Sequence, residues 1–192
     1  MGSWYTYDDG TGKLRLKVNL KVMKIDYTAW DTTGSFGYWM GLGFNKTVMA
    51  ESDIVLCRFS YTGQSTDKCV CTDRFANFNS EPTTDQKDNV KDEGTNLYYE
   101  TLSKFAYIEC IFSRLLDTSD PTQDYIMSHG SNFNAIWAHG KILSGTIMSH
   151  DATTSMRNSF RMYLSNVKAT FGIELMVKVS LLIAGAVSII LV

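Results

Sequence analysis

The sequence predicts an all-β chain, and three observations carry that expectation. Apolar and polar residues alternate with period two over several short runs. Those runs are separated by Gly-, Asn-, Asp- and Thr-rich turns. No helical apolar period is found before the last 18 residues. Several short strands at this spacing fit an antiparallel immunoglobulin-like β-sandwich, here followed by a C-terminal hydrophobic helix.

The elements follow in chain order. Residues 1–12 read as an N-terminal extension, although Trp4 and Tyr5 are strand-like residues. In residues 13–30, Leu14, Leu16, Val18, Leu20 and Val22 point one way, and Lys13, Arg15, Lys17, Asn19 and Lys21 the other. That is a half-buried strand. "FGYWMGLGF" is the second strand, a Gly-punctuated aromatic run that looks like the wall of a pocket. "SDIVLCRFSY" and "KCVCTDRFA" form a hairpin, and residues 79–96 read as one long polar loop. "LYYETLSKFAYIECIFSRLL" supplies two strands, "SNFNAIWAHG" a short one and "SMRNSFRMYLSNV" the last. The sandwich then spans 13–166, with a linker over 167–174 and an apolar tail over 175–192.

With 192 residues, 44% hydrophobic and 12% aromatic, the chain can build one sizeable core. Its formal net charge of −2 and lack of a basic stripe point away from nucleic acid. The tail carries one charge, Lys178, and is long enough to span a membrane marginally. It fits a membrane anchor, a cleavable lipid-anchor signal or a segment that packs within an assembly. The N-terminus has neither the basic start nor the apolar run of a secretory leader, and formally matches a myristoylation pattern at Gly2 and Thr6. Cys57, Cys69, Cys71 and Cys110 lack zinc-site spacing; disulfides in an oxidising compartment are favoured over buried thiols, with the pairing open. The triplet Asn45-Lys46-Thr47 is an N-glycosylation pattern suited to an extracellular loop.

Hydrolytic and phosphoryl-transfer motifs are missing, so a stand-alone enzyme is disfavoured. Asp117, Asp120 and Asp124 lie beside Arg114, where turn formation and salt bridging account for them. Met40 belongs to the core face of its strand, whereas Met49 stands at a loop–strand junction. His150 stands in a similar loop just before a strand. A thioether and a neutral imidazole are an axial pair for six-coordinate haem, although by residue type alone such residues more often pack or face solvent. Met148 is the rival sulfur ligand; His139 reads as a strand-end residue and His129 as a turn residue.

The ordered motifs resemble those of the DOMON domain family. They are "GYWMGLGFN" (with the family's Trp shifted by one position), "MAESDIVL", Asp73…Pro82…Asp85, "FSRLLDTSDPTQDYIM", "SNFNAIWAHG" and "SHDATTSMRNSF". They cover roughly residues 13–166. The resemblance implies that Met49 and His150 ligate a haem b, and that the domain passes single electrons to a redox protein or small reductant. Tyr38 and Trp137 would then pack on the porphyrin, and Arg114 or Arg157 would pair with its propionates. The resemblance equally allows a haem-free carbohydrate-binding or structural assembly module, since not all members hold haem. Self-association and an extracellular or cell-surface setting, anchored through residues 175–192, complete the expectation.

Overall fold

The computed structural model describes residues 2–85, 87–150, 157–165 and 169–171. Among these residues there is no helix, and twelve strands account for the regular structure. They are β1 (Gly2–Asp8), β2 (Leu14–Asp26), β3 (Gly37–Phe44), β4 (Ser52–Ser60), β5 (Cys69–Ala76) and β6 (Thr83–Thr84). There follow β7 (Val90–Glu100), β8 (Phe105–Leu115), β9 (Asn132–Leu143), β10 (Thr146–Ile147), β11 (Arg157–Tyr163) and β12 (Ala169–Phe171). One sheet runs β12-β1-β2-β8-β7, and the other β10-β9-β3-β4-β5-β6 with β11 also on β9. All pairings are antiparallel.

Alternation decides which side chains enter the space between the sheets. Leu16, Val18 and Leu20 of β2 face Ala106, Ile108, Cys110 and Phe112 of β8 within one buried cluster. The opposite sheet adds Tyr38, Met40, Leu42 and Phe44 from β3 and Val55, Cys57 and Phe59 from β4. In β2 the period slips at an irregularity between Val22 and Ile25, where Lys24 takes a φ of 58°. That slip returns Ile25 to the core after an even-numbered apolar run. The bulge explains why one strand buries residues of both parities.

Four cysteines form two bridges, Cys57–Cys71 and Cys69–Cys110. Cys57 and Cys71 are direct cross-strand neighbours on β4 and β5. Cys69 and Cys110 join β5 to β8, and so tie one sheet to the other.

The structure departs from the sequence reading in two main places, and a third expectation lies outside the described residues. Residues 2–8, read as an extension, form β1 and pair with β2 over their whole length. The polar loop expected over 79–96 holds the short β6 and the first half of β7. β7 is the last strand of its sheet, so polar side chains along it remain solvated and hide its period from a hydrophobicity reading. The hydrophobic helix expected over 175–192, and the linker before it, lie outside the described residues apart from Ala169–Phe171, which form β12.

Candidate functional site

β3 is "GYWMGLGF", and its two faces meet different surroundings. The even positions fill the core; Gly37, Trp39, Gly41 and Gly43 lie on the outward face of the sheet. Above that face is a cleft of about 790 Å³. Gly41, Gly43 and Ala138 form its floor, and Trp39, Ile54, Leu56, Ile136 and Ile147 supply apolar walls. Its volume falls in the range of about 300–1,000 Å³ usual for cofactor and small-ligand sites.

The floor is built by close approach. A side chain at Gly43 would meet Ile136 at 2.7 Å, and one at Gly140 would meet the Trp39 indole at 2.7 Å. Gly140 stands directly across from Trp39, so the indole lies over bare backbone. There Trp39 is only 7% exposed and forms a small second cluster with Leu56 and Ile142. Its Nε1–H donates to the Met148 carbonyl at 2.9 Å, and its ring lies 6.2 Å from the His150 imidazole. Trp39 thus holds the segment that carries His150.

Met49 enters from the other side, on the β3–β4 connection. This loop is fixed by Ser52 Oγ–H donating to the Val48 carbonyl at 2.8 Å and by the Glu51 N–H donating to Ala76 at 2.6 Å. A Lys46–Glu51 ion pair of 3.4 Å closes it on the solvent side. Met49 and His150, a hundred positions apart in sequence, therefore line one cleft together with Met148 and Arg157.

The other expected site residues are distributed differently. Trp137 borders the cleft, but its ring stacks on His139 at 5.2 Å and packs against the main core. Tyr38 projects inward and shares a 2.7 Å hydrogen bond with His139 Nδ1. Burial pushes the Tyr38 phenol up to about 12. Arg114 is fully buried between the sheets, well away from the cleft lining. The sequence already marked the strand Gly37–Phe44 as a pocket wall, but it did not single out Ile54, Leu56, Ile136 and Ala138 as cleft residues.

Arg114 anchors a different constellation. Its Nη1 donates to Asp53 Oδ2 at 2.6 Å, its Nη2 lies 3.6 Å from Asp124 Oδ1, and its guanidinium covers the Phe44 ring at 4.9 Å. The salt-bridging role expected for Asp124 is present; Asp53 and Asp73 are additional acids supplied by β4 and β5. Burial pushes Asp73 up to about 8; Arg114 opposes this, and Asp53 and Asp124 reinforce it. Asp53 and Asp124 also rise, again chiefly through burial. Oxygens of Asp53, Asp73 and Asp124 lie within 4.8 Å of one another, a spacing a cation could use. The guanidinium already offsets one of the three acidic charges from within, and a proton on Asp73 removes a second. The cluster is thereby accounted for as an internal ion network.

Comparisons with known proteins bear on the fold and the family. A family model described as the DOMON domain matches residues 8–140. The fold is similar to the cytochrome domain of cellobiose dehydrogenase from Myriococcum thermophilum, with a TM-score of 0.55 and 13% identity over 86% of this chain and 74% of that one. It is also similar to the cytochrome b domain of pyranose dehydrogenase from Coprinopsis cinerea, with a TM-score of 0.51 and 10% identity over 84% and 75% of the two chains. A search of curated proteins finds no match.

Proposed function

The chain belongs to the DOMON domain family, and from that premise we propose that its outer cleft holds a haem b used for one-electron transfer. The observation that carries the proposal is the convergence of a thioether, Met49, and an imidazole, His150, on one glycine-floored cleft. The donor set suits the group, since Met and His are an established axial pair for haem iron. The floor suits it too: Gly41 bears no side chain there, and the walls are apolar. When bound, the haem supplies an Fe(III)/Fe(II) couple.

The roles of the chain's own residues follow from their places. Met49 and His150 would hold the haem, and with both side chains engaged no site would remain for oxygen or another exogenous ligand. Outer-sphere transfer is then the chemistry served, to a redox protein or a small reductant. Ile54, Leu56, Ile136 and Ile147 exclude water from the floor. Arg157 lies at the cleft, where its guanidinium can pair with a propionate in bidentate fashion. Two disulfides support an extracellular or cell-surface setting. Anchoring through residues 175–192 belongs to the same proposal.

A visible spectrum of the protein purified from haem-supplied cells tests the reading. The expected result is a sharp reduced α band, lost from the low-spin form in Met49→Ala and in His150→Ala. Protein without porphyrin absorbance, or a low-spin spectrum that survives both substitutions together, overturns it. The first of those results would favour the haem-free binding or assembly role.

A further inference from the structure

The loop that delivers Met49 also carries the chain's single Asn-x-Ser/Thr triplet, Asn45-Lys46-Thr47. Many such triplets are sterile because the fold buries them, but Asn45 and Thr47 are both exposed. Asn45 leaves β3 with a φ of 57°, in the left-handed region that asparagine tolerates better than most residues. Turn geometry accounts for an asparagine there, but it does not call for a hydroxyl two positions later. One further observation points the same way. All four cysteines are buried and bridged, which fits folding in an oxidising compartment, the setting in which such acceptors are used.

We propose that Asn45 carries an N-linked glycan, rooted at the rim of the cleft four positions before Met49. The donor class is a lipid-pyrophosphate-linked oligosaccharide. Asn45 Nδ2 forms a bond to the anomeric carbon as that carbon's bond to the phosphate oxygen breaks. The lipid pyrophosphate departs, and one amide proton passes to a base of the transferase, with no change of oxidation state. The glycan would cover the β3–β4 side of the mouth and leave the His150 side open to an approaching partner. That last consequence rests on the cleft being the functional site; the modification itself does not.

The full chain, secreted from eukaryotic cells behind a cleavable leader, provides the test. Intact mass before and after peptide N-glycosidase should show loss of an oligosaccharide, with Asn45 converted to aspartate. Asn45→Asp, which keeps a residue tolerant of the left-handed turn, should lack the glycan completely. Thr47→Ala should lack it as well, whereas Thr47→Ser should retain it. Secreted, disulfide-bonded wild-type protein with an unmodified Asn45 overturns the proposal, as does a glycan mass that persists in both Asn45→Asp and Thr47→Ala. Haem content is irrelevant to this readout, so its failure would leave the haem proposal untouched.

Discussion

The two faces of β3 divide the labour of this molecule. Inward, Tyr38, Met40, Leu42 and Phe44 are large and buried against the opposite sheet. Outward, Gly41 bears no side chain, Ile136 closes over Gly43 and the Trp39 indole over Gly140. One face is packed with protein alone, whereas the other borders a cleft. Stability should therefore be concentrated on the inner face and binding on the outer one.

The strongest way to break that contrast is to disturb the ionic end of the interior, where Phe44 lies under Arg114. Arg114→Leu removes the buried cation from the acids Asp53, Asp73 and Asp124 and should cost about 3–5 kcal/mol in urea unfolding, because the ionised ones are left uncompensated. Next, Leu42→Ala opens a cavity at a fully buried site of the inner face and should cost about 2–5 kcal/mol by the same measurement. On the outer face, Trp39→Phe keeps a ring over Gly140 but loses the donor to Met148, costing about 0.5–1.5 kcal/mol. Its larger consequence should be a shift in the reduced haem spectrum, because the His150 segment loses an anchor. Gly41→Val should change stability least, within about 1 kcal/mol, since a Cβ there meets its nearest neighbours at an ordinary 3.7–3.8 Å. The added methyls stand on the cleft floor, so porphyrin occupancy should fall at least tenfold in the same sample. A Gly41→Val protein that binds haem normally would place the ligand elsewhere.

The pH dependence sharpens the same comparison. Asp73 titrates at about 8 in the folded chain against an ordinary value of 3.8, with burial as the leading cause. Across that window the folded state binds the extra proton, so its contribution to stability is full at the acid end and is lost as pH rises toward and past 8. Asp53 and Asp124 shift in the same direction, while Arg114 stays charged throughout. Urea midpoints measured from pH 5 to 9 should fall with rising pH, and Asp73→Asn should flatten the slope. An unchanged slope in that variant would remove Asp73 from the account.

Much of the fold was legible because strand alternation is a local property. The run from Leu14 to Val22 announced its buried face, and the hairpin around "TGQSTD" announced its turn. β1 and the first half of β7 were harder to see: one is short and close to the terminus, and the other is a solvated sheet edge. Met49 and His150 were nameable as ligand types, and the order of motifs brought them together through family resemblance. Arg114 and Tyr38 were expected at the cleft, yet both enter the interior. Their partners there, Asp53 and His139, come from other strands, so their roles could not be read from their own.

The sequence by itself determined the all-β class, the inward apolar set of β2 and β3, and the presence of four cysteines, a thioether and an imidazole in suitable loops. These follow from side-chain chemistry and the two-residue period of a strand. Only the tertiary structure decided that Cys57 pairs with Cys71 and Cys69 with Cys110, that Arg114 gathers Asp53, Asp73 and Asp124, and that Met49 and His150 border one cleft. Most of those facts join segments far apart in the chain, and all of them join different elements. Their meeting is fixed by the register and order of the sheets, which long-range packing sets and local pattern does not.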